Sequence, residues 1–214
     1  MTKNVNINNK IKKYLLSHTK KRRDCCKYFV TFDLKILHDI IRFVRKCQRR
    51  GNTMAIEKVR EYFKQYGIED RIMEFEVSSA TVELAAQAVG VEGARICKTL
   101  SFKDHADGCI LIQTAGDTKI DNRKFKDTFG FKAKMLSPEE VVEYTGHAIG
   151  GVCAFAIENP KVKVYCDESM KRFDTVFPAC GSSNSAIEFN MEELFRYSKA
   201  DGWVDVCKIP QEEA

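Results

Sequence analysis

The chain has 214 residues, 44% of them hydrophobic, which suits one well-packed core rather than two. Its formal net charge of +5 hides a division: residues 1–53 carry 15 Lys+Arg against 3 Asp+Glu (+12), which leaves 20 against 27 (−7) for residues 54–214. No run of roughly 18 apolar residues occurs, so no membrane span is expected; the nine cysteines, odd in number and without a C-x-x-C pair, suit a reduced, cytoplasmic protein rather than a disulfide scaffold.

The first 53 residues read differently from the rest. Asn4 to Lys13 is polar and lysine-rich, and Lys20-Lys21-Arg22-Arg23 is a basic cluster. Leu34, Leu37, Ile41 and Val44 then recur at helical spacing, with Lys35, Arg42, Arg45 and Lys46 on other faces. Two readings stay open. The stretch is a basic amphipathic arm for RNA or another anionic surface, or it precedes a natural start at Met54, after which a helix begins at once. The basic terminus lacks an apolar segment with a small-residue cleavage site, so secretion is not expected. The expected organisation is a basic extension over 1–53 and one domain over 54–214.

From Met54 the elements follow one another with clear boundaries. Ile56, Val59, Phe63 and Tyr66 mark one face of a helix closed by Gly67. Ile72–Val77 reads as a strand, and Ser78-Ser79 as the cap of a helix through Val89, stopped at Gly90. Ile96–Phe102 and Cys109–Ala115 read as a hairpin around the Lys103–Gly108 turn. Asp121–Phe129 is a short basic helix. Ser137-Pro138-Glu139-Glu140 predicts a helix start with a capping box and proline at its first position, running to Gly146. Strands are expected at Val152–Ile157, Val162–Cys166, Thr175–Ala179 and Ala186–Phe189. Asn190-Met191-Glu192-Glu193 opens a last helix, and Trp203–Cys207 closes the chain as a strand. Without a regular βαβ repeat, this order predicts an α+β domain with a mixed β-sheet surrounded by helices.

Three segments carry the candidate chemistry. In Arg95-Ile96-Cys97-Lys98-Thr99-Leu100-Ser101-Phe102, a lysine interrupts an apolar strand. Lys98 is either a positioned cation in a pocket or an edge lysine facing solvent. In Thr145-Gly146-His147-Ala148-Ile149-Gly150-Gly151-Val152-Cys153-Ala154, a helix stop is followed by a glycine pair. Paired glycines let backbone approach a ligand closely and can leave N–H groups pointing at it. His147 has the side chain for a general base. The third segment, Phe177-Pro178-Ala179-Cys180-Gly181-Ser182-Ser183-Asn184, runs from a strand into a small-residue turn. Cys180 there would need a neighbouring base or helix N-terminus to act as a nucleophile. Asp167 is a pocket candidate or a helix cap. No His/Cys/Asp/Glu spacing suits a metal, and no cofactor is expected.

These three segments resemble the YbaK/prolyl-tRNA-deacylase family, which includes editing domains associated with aminoacyl-tRNA synthetases. The resemblance spans roughly residues 56–207. It implies a YbaK-like fold and a hydrolase that deacylates misacylated tRNA, with a small noncognate amino acid as the acyl group, for example on tRNA-Pro. A non-catalytic tRNA- or aminoacyl-binding module is the alternative. It implies aminoacyl-tRNA as partner, with an aminoacyl-tRNA synthetase as a second one, and neither membrane nor DNA. Lys98 matches the family's lysine before Thr-Leu, and Gly150-Gly151 its Gly-Gly-x-x-Pro loop. Carried over, Lys98, Gly150 and Gly151 take catalytic roles. Val152, Cys153, Ala154, Gly146, His147, Asp167, Ala179, Cys180 and Gly181 form the binding pocket. For His147 the resemblance implies a role in shape instead of a base. The chain departs from the pattern at Ala154, which stands where the loop proline is usual, and at Ala156, where a glycine is usual. The turn after Ala179 also lacks the common Gly-Gly-Lys-Arg-Gly.

Overall fold

The computed structural model describes residues 55–76, 81–105 and 107–210. The basic clusters of the first 53 residues and the Ser78-Ser79 pair lie outside the described residues. The helix that starts after Met54 is α1, residues 55–64. It buries Ile56, Val59 and Phe63 as its spacing predicts. Then come β1 (Met73–Glu74), α2 (Val82–Val89), β2 (Ile96–Asp104), β3 (Gly108–Ala115), β4 (Lys119–Ile120), α3 (Asn122–Phe129) and α4 (Pro138–Thr145). The chain continues through β5 (Val162–Asp167), β6 (Thr175–Pro178), β7 (Ser185–Ala186), β8 (Phe189–Asn190), α5 (Met191–Ser198), β9 (Gly202–Val204) and β10 (Cys207–Lys208).

The helix ends form where local chemistry asks for them. Ser137 and Glu140 make the reciprocal capping box of α4, with Pro138 behind the cap, and Asn190 with Glu193 does the same for α5. Asp121 caps α3 by accepting from the N–H groups of Arg123 and Lys124. The cap of α2 is Thr81, whose hydroxyl accepts from Leu84 N–H at 3.3 Å.

Six strands make one mixed sheet in the order β8-β6-β2-β3-β5-β9. The β2–β3 hairpin is antiparallel across eight residue pairs, from Cys97↔Ala115 to Asp104↔Gly108. β6 runs parallel to β2, β5 parallel to β3, and β9 parallel to β5. Alternation along the hairpin splits the core. Cys97 and Ala115 face Val59 and Phe63 of α1, with Leu194 and Tyr197 of α5. Leu111 on the same face meets Val141 of α4. Phe102, Ile110 and Ile112 face the other way, toward Phe125 of α3, as Ile96 does toward Ala86 of α2. The expected α+β architecture, a mixed sheet between helices, is the one observed.

Three expected strands change form. Residues 152–157 make no strand. Cys153 N–H is taken by the His147 ring at 3.3 Å, and Ala156 sits at φ 55°, so the segment cannot join a ladder. The strand expected at Ala186–Phe189 divides, with β7 pairing to β1 and β8 to β6. The terminal strand divides likewise: β9 pairs with β5 and β10 with β4, while Val206 N–H between them donates to the Asp167 carboxylate at 2.9 Å.

Candidate active site

The site lies where β2 parts from β6. Their parallel pairing covers only Ile96↔Phe177 and Cys97↔Pro178. Further on, the same edge of β2 is met by residues 134–136: Leu136 N–H donates to Ser101 C=O at 3.1 Å, and Lys103 N–H to Lys134 C=O at 2.8 Å. Ser101 and Lys103 therefore point their backbone groups away from β3. By the two-residue repeat of a strand, so does Thr99. In the gap between the two pairings, the Thr99 N–H and C=O have no strand partner among the described residues. The Thr99 hydroxyl oxygen is also buried without a hydrogen-bond partner among the described residues. A buried polar group costs free energy unless something satisfies it. Thr99 lines a cleft of about 400 Å³.

That cleft brings together Lys98, Thr99 and Leu100 of β2, Gly150 and Val152 of the glycine loop, and Ala179, Ser182 and Ser185 of the turn after β6. Lys98 is half-buried, and its ammonium donates to the Thr118 carbonyl oxygen. Burial pulls its pKa below the ordinary lysine value; the nearby Cys207 and Asp117 oppose this. Ser182 Oγ donates to Ser185 Oγ at 2.7 Å, which fixes the opposite turn.

Loop geometry explains the glycines. Gly146 ends α4 in the left-handed region at φ 73°. Gly151 N–H donates back to Ala148 C=O at 3.0 Å, closing a turn through Gly150 at φ 91°. A Cβ on Gly151 would lie 2.8 Å from both Cα and the carbonyl carbon of Ser182. Gly151 thus lets two loops touch backbone to backbone, and its N–H is committed to the turn. The N–H groups of Gly150 and Val152, both lining the cleft, donate to no acceptor among the described residues.

The other sequence candidates are placed behind this surface. His147 is 1% exposed and accepts from Cys153 N–H. Burial lowers its pKa to about 4, so it is neutral near pH 7 and its Nδ1 is already used. Cys153 is buried beside it, with its thiol pushed up to about 12 by burial. Ala154 is buried against Leu111 and Val164. Cys180 is fully buried, and burial raises its thiol pKa well above the ordinary value, so it offers no thiolate. Gly181, at φ 84°, packs against the Ala55 carbonyl. Asp167 is fully buried and caps the turn Glu168–Arg172 by accepting from Ser169 N–H at 3.0 Å. The structure therefore gathers Lys98, Gly150, Val152 and Ala179 at the cleft. Gly151 lies immediately behind, while Gly146, His147, Cys153, Ala154, Asp167, Cys180 and Gly181 support it from the core or the loop bases.

Sequence reasoning missed Thr99, Ser182, Ser185 and the wall formed by Met135 and Leu136. Thr99 adjoins Lys98, but its value rests on an edge left open by tertiary pairing. A larger groove, about 640 Å³, runs along α1 past Glu57, Lys58, Glu61 and Tyr62, and holds none of the candidates. Among the described residues no three metal-ligating side chains converge. The cleft offers a cation, unpaired amide donors and acceptors, and a small apolar wall.

The aminoacyl-tRNA editing domain family model matches residues 76–197. A Bacillus subtilis (strain 168) protein, YwhH, described as uncharacterised, is 56% identical over 155 residues, covering 72% of this chain and 98% of that protein. An Enterococcus faecalis protein, EbsC, described as a candidate Cys-tRNA(Pro)/Cys-tRNA(Cys) deacylase, is 24% identical over 155 residues, 70% of this chain and 89% of the other. A crystal structure described as a candidate trans-editing enzyme for prolyl tRNA synthetase superposes with a TM-score of 0.65 at 29% identity, covering 72% of this chain and 97% of that one.

Proposed function

The chain belongs to the aminoacyl-tRNA editing domain family, and we propose that it is a trans-acting hydrolase that removes a small noncognate amino acid from tRNA. The carrying observation is the open edge of β2: Thr99, whose hydroxyl and backbone groups have no partner among the described residues, lines the same cleft as Lys98, Gly150 and Val152.

An aminoacyl ester is activated, and its hydrolysis needs an oriented water and stabilisation of the tetrahedral oxyanion. Water adds to the ester carbonyl, the carbonyl electrons move to oxygen, and the C–O bond to the ribose then breaks. The ribose oxygen leaves with a proton, and the free amino acid departs. Gly150 and Val152 N–H groups are the donors for the oxyanion. Lys98 positions the terminal nucleotide or the ester. The hydroxyl adjacent to the ester on the ribose assists water, so no side-chain triad is required. Val152, Ala179 and Leu136 give the cleft an apolar wall suited to a short acyl side chain. The substrate partner is aminoacyl-tRNA, and the enzyme acts beside the aminoacyl-tRNA synthetase that makes the error.

The second reading is a non-catalytic aminoacyl-tRNA-binding module. Ala154 at the usual loop-proline position favours it, since proline would restrict the backbone that carries Val152 and Cys153. Incubating the purified chain with tRNAs charged with small noncognate amino acids separates the two. Catalytic release of amino acid supports the hydrolase, and saturable binding without release supports the module.

A further inference from the structure

Met135 and Ile149 are the two most exposed large hydrophobic side chains among the described residues, at 59% and 62%. Both line the cleft that holds Lys98 and Thr99, so they stand at its mouth. They come from different elements. Met135 lies in the segment that pairs with the edge of β2, where it bridges Phe102. Ile149 lies in the loop between the end of α4 and the Gly150-Gly151 turn. Exposing two such side chains at one mouth carries a solvation cost that a ligand would relieve.

The surroundings identify the ligand's chemistry. Lys132 and Lys134, in the same segment as Met135, are exposed and form no ion pair among the described residues. Lys119, close enough to Lys98 to disfavour its charge, is likewise unpaired. Other cations nearby are neutralised: Lys103 by Glu140, Lys124 by Asp205, and Arg172 by Asp117. Apolar side chains at the mouth, with the unpaired Lys132 and Lys134 in the same segment as Met135, match a flat base on an anionic backbone. Met suits a base face, since its thioether is polarizable and its chain adapts.

We propose that Met135 and Ile149 form an apolar clamp for the terminal nucleobase of an RNA acceptor end, holding it while the attached aminoacyl group enters the cleft. This rests on the aminoacyl-tRNA reading above, and it assigns specificity-determining roles to two residues outside the lysine and glycine motifs. Lys132 and Lys134 then lie where the preceding phosphates pass.

The test is binding by the full chain to two stable probes. One is alanine joined by an amide to 3′-amino-3′-deoxyadenosine. The other is the same amide on a ribose that carries a methoxy group in place of the base. The native chain should prefer the base-bearing probe by about tenfold, and Met135→Ala/Ile149→Ala should lose most of that preference. Because both side chains are largely exposed, the variant should keep its native melt. A preference that survives in the variant overturns the clamp. Hydrolysis of aminoacyl-tRNA by a native chain that shows no base preference also overturns it, while leaving the proposed reaction standing. A native chain that binds neither probe and releases no amino acid removes both. If light scattering shows a dimer that the variant abolishes, the patch belongs to a second copy of this chain and the clamp is wrong.

Discussion

His147 shows how one buried side chain can shape a site without entering it. Its ring accepts Cys153 N–H at 3.3 Å and ties the start of the glycine loop to its end. Burial lowers its pKa from 6.5 to about 4. The unfolded chain therefore binds a proton between those values that the folded chain refuses, so stability rises with pH across that window. The contribution is fully present above about 6.5 and is lost as pH falls toward 4. Its size is about 3 kcal/mol, from 1.36 kcal/mol per unit. Melting temperature should fall on acidification from pH 7 to pH 4, and His147→Gln should flatten part of that fall. Equal pH profiles for the two proteins would contradict this role. The sequence made His147 visible as a candidate base or a shape residue. Its burial, set by packing far along the chain, leaves no mark in the sequence.

At the scale of elements, legibility follows locality. The caps at Ser137 and Asn190 use neighbours within three residues and form as the sequence predicts, and Asp121 caps its helix by the same local chemistry. The segment Val152–Ile157 is apolar enough for a strand, yet the His147–Cys153 bond and the left-handed Ala156 hold it as a loop. Those constraints arise between elements and leave no periodic trace. Candidate-site residues divide the same way. Lys98 stood out because a cation broke an apolar run. Thr99 was hidden because its significance comes from β6 ending early beside β2. Gly151 tests the loop packing. A methyl group there meets the Ser182 backbone at 2.8 Å, which has no flexible side chain to move. Gly151→Ala should cost about 1–3 kcal/mol of stability and displace Gly150 from the cleft, lowering deacylation. A native melt with native activity would show that the loops are not in contact.

For the whole molecule, the charge division sets the question of what residues 1–53 do. The apolar periodicity and cap signals of the sequence concentrate after Met54. A protein spanning 54–214 should fold with a cooperative melt and retain deacylation, measured by calorimetry and amino acid release. Insolubility or loss of cooperativity would move the domain boundary upstream. If the shorter protein keeps its turnover number but requires more tRNA, the basic arm contributes to RNA binding.

We place the reaction at the open edge of β2, and Lys98→Ala probes that placement on a misacylated tRNA that the native chain hydrolyses. Losing a charge-assisted contact of this kind costs about 2–4 kcal/mol, or roughly thirty- to thousandfold in rate. That loss is expected with a melt close to native, and with incomplete rescue by Lys98→Arg, whose planar head has a different reach. Hydrolysis at the native rate by Lys98→Ala would contradict it.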